Sequence, residues 1–261
     1  MATTKLALLL LLVCTASLAQ NAALDPALQE AVEARKQTLG EAQKYTYAEQ
    51  DKTLNFDSKG KVVLENTETY EIIFLEGAPY KKHTLHNGKP LSTKEQKAEE
   101  RKLQDVAKSR REQKEKTGLF HASFTFEFPL DQLSTRFTVS PSGEEELDGR
   151  KNLVFTAVPP AGADMKQAAR DGVAYEMKFW VDRQDHVFRR IEGKVAADGM
   201  RYEKDTLVTF DFSKVNGEAW LPSRFYFKGR VRYMLHDIPD ETEQTYSDYK
   251  KFHAETKVVT Q

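Results

Sequence analysis

Hydrophobic and polar positions divide the chain into stretches of different period. Leu28, Val32, Arg35 and Leu39 recur at helical spacing within ALQEAVEARKQTL. Pro26, behind Asp25, suits a first helical turn and Gly40 a stop, so a short amphipathic helix is predicted there. From Tyr45 the period falls to two. YTYAEQDKTLNF and VVLENTETYEIIFLEG alternate, are rich in aromatic and β-branched residues, and are separated by Asp57-Ser58-Lys59-Gly60, which predicts a pair of antiparallel strands. PYKKHTLH predicts a third strand, closed by Asn87-Gly88, the pair best suited to a two-residue hairpin turn.

The stretch from Ser92 to Lys116 has neither pattern in strength. Ser92 and Glu95 fit a capping box and nearly every later residue is a good helix former. Its apolar positions are few (Ala98, Leu103, Val106, Ala107), so at most a narrow stripe faces the protein. Lys and Arg interleave with Glu and Asp, and Glu112 and Lys116 lie one turn apart, which predicts a solvated helix. From Phe120 the chain is strand-like nearly to its end, except FEFPLDQL, which fits neither period. Turns are predicted at Pro141-Ser142-Gly143, Asp148-Gly149, Pro159 to Gly162, Arg183 to His186, Asp198-Gly199, Asn216-Gly217 and Pro239-Asp240. Alternating runs between such turns mean a meandering antiparallel sheet.

The richest stretch is YEMKFWVDRQDHVFRRIEGKV, residues 175–195. Tyr175, Met177, Phe179 and Val181 fall on one face of a strand, and Glu176, Lys178, Trp180 and Asp182 on the other. On the return strand Val187 and Ile191 are expected on the apolar face, with Phe188, Arg190, Glu192 and Lys194 opposite. Asp182, Asp185 and His186 form either an acid/base cluster or the polar tip of a hairpin. A turn needs such backbone-bonding side chains for itself, and the rest of the chain supplies no partners for catalysis, so they are read as scaffold.

Composition narrows the setting. The first residues, MATTKLALLLLLVCTASLAQNAA, carry one Lys, an apolar run from Leu6 to Val13 and then small and polar residues, the layout of a secretory leader cleaved after Ala19. Eight apolar residues are too few to span a membrane, which takes about 20. The one cysteine, Cys14, closes this run and leaves a lipoprotein form, tethered through Cys14, as the alternative; Val13 stands where such signals want a small residue. Either way the body of the chain has no disulfide, thiolate nucleophile or thiolate metal site. The formal net charge is −1, with 30% charged residues, and no basic excess points to nucleic acid.

The remaining motifs are weak. His83 and His86 form H-x-x-H, but a separation of three on a strand sends the rings to opposite faces, and no third ligand accompanies them. Gly-x-Ser-x-Gly and phosphate-binding glycine loops are absent from the sequence. Glu144-Glu145-Glu146 is read as a charged edge that discourages strand pairing. No cofactor, no metal and no catalytic residue is expected.

Several strands are lopsided in the same way: Tyr70, Ile72 and Phe74; Val208, Phe210 and Phe212; Phe225 and Phe227 after Trp220-Leu221-Pro222. Two helices, one of them highly charged, are little to cover so much apolar face. The face is either ordinary core or a partly open surface that takes an apolar ligand. The candidate ligand-binding residues are Tyr70, Ile72, Phe74, Met177, Phe179, Val181, Ile191, Phe210, Phe225 and Phe227.

The short N-terminal helix, the meander of long strands, YEMKFWVDRQDHVFRRIEG followed by WLPSRFYFKGRV, and the closing TYSDYKKF resemble the periplasmic lipoprotein-carrier superfamily, the outer-membrane lipoprotein-sorting (LolA-like) carriers and their lipid-binding relatives. The resemblance spans residues 26–255. It implies an α+β fold: an incomplete antiparallel β-barrel (half-barrel) of long strands covered by a few helices, with a cavity for acyl chains. On that basis residues 1–19 are expected to be the leader and 20–261 a single half-barrel domain with a charged helical insertion at about 92–116. The expected protein is a monomeric, non-enzymatic, exported periplasmic binder of lipid or lipoprotein acyl chains, with membrane-bound delivery or acceptor proteins as partners. A sensor or protein-interaction module on the same fold is the alternative. A hydrolase assembled from strand-borne Asp, Glu and His is a third. None of the carriers' basic gating residues finds a match in this sequence.

Overall fold

The computed structural model describes residues 23–42, 44–57, 61–113, 128–199, 202–233 and 236–251, with backbone alone at 39, 231–233 and 236–239. The leader expected at 1–19 with Cys14 lies outside them, as do 58–60, Lys116 and the strand-like start at Phe120. The chain runs through α1 (Pro26–Ala42), β1 (Tyr45–Phe56), β2 (Val62–Leu75), β3 (Ala78–His86), β4 (Lys89–Pro90) and α2 (Thr93–Gln113). A 3-10 turn at Leu130–Gln132 leads into α3 (Leu133–Arg136), then β5 (Thr138–Leu147), β6 (Arg150–Val158), α4 (Met165–Arg170) and β7 (Tyr175–Asp182). Strands β8 (Phe188–Val195), β9 (Leu207–Val215), β10 (Ala219–Tyr233) and β11 (His236–Lys251) complete it. Among the described residues, no helix is long and apolar enough to cross a membrane.

All eleven strands form one open antiparallel sheet in the order β4-β3-β2-β1-β11-β10-β9-β8-β7-β6-β5. Two meanders, β1 to β4 and β5 to β11, are joined where β1 pairs with β11 through a register running from Tyr45 opposite Lys251 to Asn55 opposite Asp240. This topology has a geometric consequence. The chain leaves the first meander at one edge of the sheet and enters the second at the other, so the connection from β4 to β5 must cross the sheet. It leaves Phe128, Leu130, Leu133 and Phe137 packed in the apolar cluster of the face on which α1 also lies, called here the inner face.

Local chemistry fixes the turns. Asn87 and Gly88, Asp148 and Gly149, and Asn216 and Gly217 each have positive φ at both residues, the primed geometry that matches the twist of a hairpin. Helix α2 begins with a complete capping box: Glu95 N–H donates to Ser92 Oγ (3.3 Å) and Ser92 N–H to Glu95 Oε2 (2.8 Å). The helix is tied to the β2–β3 turn by Arg110, which donates to the carbonyls of Leu75, Ala78 and Pro79 at 2.8–2.9 Å.

Five expectations are corrected. Pro141-Ser142-Gly143 is a bulge within β5, where the register against β6 slips between Pro141 and Glu144; Gly143, at φ 97°, supplies the kink. Pro239-Asp240 lies inside β11. The segment before β7 contains α4, whose start is capped by Asp164 Oδ1 accepting from Lys166 N–H and Gln167 N–H. Phe188 joins the apolar face, because a bulge between Trp180 and Val181 pairs Val181 with Phe188 and sets the Phe188 ring 5.6 Å from that of Phe179. Helix α1 also runs past Gly40 to Ala42. Strand β5, with Glu144 to Glu146, is an edge strand as the charge run implied.

Candidate ligand-binding face

Paired residues in antiparallel strands point to the same face, so the registers can be followed across the sheet. One crosswise row reads Phe155 (β6), Phe179 (β7), Ile191 (β8), Phe210 (β9) and Phe225 (β10). It continues without interruption as Gln244 (β11), Asp51 (β1), Glu68 (β2) and His86 (β3). The next row reads Ala157, Met177, Gly193, Val208 and Phe227, and then Thr242, Thr53 and Asn66. Along these rows the inner face is therefore apolar from β6 to β10 and polar from β11 to β3.

In the apolar half Met177, Phe179, Val181, Ile191, Phe210 and Phe227 are buried, Phe179, Val181 and Ile191 fully, and the half-buried Phe225 packs against them. They are covered by Ala27, Leu28 and Ala31 of α1 and by the crossing segment. Phe128 is the centrepiece of that cover. Its ring stands edge-on to Tyr175 (6.2 Å) and Phe210 (5.8 Å) and occupies the space above Gly193, where a Cβ would lie 2.1 Å from Phe128 Cε1. Gly193 is thus a glycine because an aromatic ring takes the place of its side chain. Of the ten residues singled out from the sequence, seven meet in this cluster. Tyr70, Ile72 and Phe74 lie on β2, outside it, in the polar half.

The polar half is organised around Lys81, whose Nζ donates to Glu49 Oε1 (2.8 Å) and Asp51 Oδ2 (2.7 Å) and stands 4.1 Å over the Tyr70 ring. Glu49 is 7% exposed. Burial raises its carboxyl to about 7, with Lys81 opposing and Asp51 reinforcing the rise. Burial, and Glu49 beside it, also push the Tyr47 phenol up. Asp51 Oδ1 is buried with no hydrogen-bond partner. Next along β2, Glu68 takes both histidines: His83 Nε2 lies 2.6 Å from Oε2 and His86 Nδ1 2.7 Å from Oε1. The expectation of opposite faces for these rings fails. A bulge at Thr69/Tyr70 pairs Glu68 with His86 and Tyr70 with His83, so a spacing of three returns to the same face. Burial works against the Glu68 charge, but hydrogen bonds from Asn66, His86 and His83 outweigh it and hold the carboxyl low. Among the described residues, no group of three or more His, Cys, Asp or Glu side chains could hold a metal ion.

Sequence reading missed this half. The signal was present in YTYAEQDKT, where Tyr47, Glu49, Asp51 and Thr53 share a face, but nothing in the alternation says that the charged face turns inward.

The 182–186 turn is engaged in structure. Arg150 clamps Asp182 with Nε on Oδ2 (2.6 Å) and Nη2 on Oδ1 (2.8 Å), and Oδ1 also accepts from Gln184 N–H and Asp185 N–H. Burial disfavours the Asp182 charge, yet Arg150 and these amides hold its carboxyl below the usual range. Asp185 Oδ2 accepts from Lys214 Nζ (2.8 Å) and Trp220 Nε1 (3.0 Å), and His186 Nδ1 lies 2.6 Å from Glu30 Oε2 of α1. The cluster anchors a hairpin and docks α1.

Two surface cavities lie apart from the apolar cluster's centre. One, of about 250 Å³, is lined by α1 residues including Thr38 and by Tyr45, Val187 and Trp220; the other, of about 220 Å³, lies between Arg136, Pro160 and Gln167.

No family model and no curated protein matches the chain. Among solved structures it is similar to a domain described as an outer membrane lipoprotein-sorting domain from Vibrio parahaemolyticus, at 11% identity and TM-score 0.37, covering 87% of this chain and 94% of that one. It is also similar to a LolA superfamily protein from Nitrosomonas europaea (10%, TM-score 0.36, covering 90% and 96%). A DUF1329 family protein from Desulfovibrio piger compares at 13%, TM-score 0.33, covering 90% and 93%. Likenesses at these values carry no functional argument. The open antiparallel sheet with its few helices is the fold that the sequence resemblance implied.

Proposed function

We propose that this chain is an exported binding protein of the bacterial envelope that holds a lipid or lipoprotein acyl chain on the apolar half of its inner face. The observation that carries the reading is the unbroken apolar row from Phe155 to Phe225 on a sheet that does not close. In this reading the ligand enters by displacing the cover, above all the Phe128 ring over Gly193, and replaces the contacts that Phe128 makes with Tyr175 and Phe210. Burial of the tail contributes about 25 cal/mol per Å² of apolar surface. Outer-membrane lipoprotein sorting is the role within this class that the sequence resemblance favours. The engagement of Asp182, Asp185 and His186 in hairpin anchoring supports binding over catalysis.

Native mass spectrometry of protein purified from the envelope is expected to show a co-purifying lipid that solvent extraction removes. A clean apo mass together with no uptake of a fluorescent fatty acid refutes the proposal. The consecutive exposed residues Val62, Val63 and Leu64, 42–61% accessible, favour a second reading in which the tip of β2 contacts a partner protein. Cross-linking from position 63 in whole envelopes tests it.

A further inference from the structure

We infer that the polar half of the inner face is a recognition site for the ammonium head of an amphiphile, seated against Glu49 and Asp51 while its tail crosses Phe225 onto the apolar half. The inference rests on the apolar-ligand reading and adds the chemistry of the head group.

The first ground is charge. Glu49 and Asp51 share one cation, Lys81, each spending a single carboxylate oxygen on it. The second is hydrogen bonding. Asp51 Oδ1 is buried with no donor, beside the almost fully buried carboxyl of Glu49. Buried carboxylate oxygens without donors are costly, and a group with several N–H donors and a positive charge relieves both deficits at once. The third is the surroundings. Tyr47 and Tyr246 stand edge to face beside Glu49 with ring centroids 6.0 Å apart, and the Tyr70 ring already presents its face to the Lys81 ammonium. Ring faces attract ammonium groups in just this way.

The fourth ground is position. Asp51 lies two strands from Phe225 in the same crosswise row, with Gln244 between them. Two strand spacings are about 10 Å, a span covered by the first carbons of an alkyl chain. An anionic head placed here meets Glu49, Asp51 and Glu68, while Lys81 is already held by the first two and His83 and His86 by the third.

Near neutrality a proton competes for the same place, because burial raises the Glu49 carboxyl to about 7. The titratable groups facing it are Asp51 and Tyr47 of its own strand, Lys81 from β3, Tyr70 from β2 and Tyr246 and Tyr249 from β11. An ammonium that binds against ionised Glu49 displaces that proton.

The test is isothermal titration of the full chain at about pH 8, above the raised Glu49 value, where the carboxylate is ionised. The probes are dodecylammonium, dodecyl maltoside and dodecyl sulfate, each below its micelle concentration. Dodecylammonium is expected to bind at least about tenfold more tightly than dodecyl sulfate. Glu49→Gln and Asp51→Asn are each expected to bring that ratio close to one. Equal affinity for the three heads overturns this inference alone, as does a preference that survives both substitutions. Failure of all three to bind overturns it together with the apolar-ligand reading. The ranking on the unsubstituted chain requires no variant, so a variant that fails to fold does not shield the proposal.

Discussion

The apolar and polar halves of the inner face share strand pairing, row and face, and differ in what fills them. From β6 to β10 the inward residues are buried against side chains delivered by α1 and the crossing segment. From β11 to β3 they are held by one another, through Lys81 between two carboxylates and Glu68 between two histidines. The first half is stabilised by removing surface from water, which is tolerant of direction. The second depends on directed hydrogen bonds and charge balance, so a single missing partner, such as that of Asp51 Oδ1, stands out. Of the two, only the second can distinguish one ligand head from another.

The comparison can be broken most forcefully at Phe179, which is fully buried in the apolar row. Phe179→Ala is expected to cost about 3–5 kcal/mol, read as a shift in urea midpoint. A loss under about 1 kcal/mol would mean that this half is a loose, ligand-ready surface.

In the polar half Lys81→Met leaves two carboxylates facing each other, with an expected cost of about 1.5–3 kcal/mol, the range for hydrogen bonds to charged groups. The cost should be larger at about pH 8 than at about pH 5, because Glu49 is protonated at the lower value. The sign in the unsubstituted chain follows the same logic. A folded-state value of about 7, above that of the unfolded carboxyl, means the folded chain holds more protons in between. Glu49 therefore contributes its full stability below the unfolded value and loses it as pH rises through about 7. Denaturation across that interval should show a falling limb that Glu49→Gln flattens; an unchanged limb assigns it elsewhere. Glu68 and Asp182, held low, act in the opposite sense and lose stability as the solution is acidified.

Gly193→Ala probes the cover without touching either row's polar groups. A Cβ there collides with Phe128, and overpacking of this kind costs about 1–3 kcal/mol. Fatty-acid uptake should quicken in stopped-flow fluorescence if Phe128 is the plug, and stay unchanged if it is merely core. The smallest effect is expected at Ser92. Ser92→Ala removes half of the capping box of α2 at about 1 kcal/mol, seen as faster hydrogen exchange in the first turn of that helix, with neither half of the inner face disturbed.

Much of the fold was legible because period and turn chemistry are local. The hairpins at Asn87-Gly88, Asp148-Gly149 and Asn216-Gly217, the capping box at Ser92 and the inward set Met177, Phe179 and Val181 all follow from a few neighbouring residues. Bulges were not legible. At Thr69/Tyr70 and Trp180/Val181 one extra residue reverses the faces of everything beyond it, and that is why His83 and His86 converge and Phe188 turns inward. Of the candidate face, the apolar cluster was legible, since seven of the residues named from the sequence pack together in it, while Glu49, Asp51 and Lys81 passed as ordinary polar positions of alternating strands.

The amino-acid sequence by itself determined strand, helix and turn, since these depend on side-chain period, glycine and asparagine at positive φ, and capping groups within a few residues. Only the tertiary structure decided that β1 lies beside β11, almost two hundred residues later, and so which strands carry their polar face inward. Backbone pairing is indifferent to side-chain chemistry, so the same ladder that extends the apolar row past Phe225 delivers Gln244, Asp51 and Glu68 to its end.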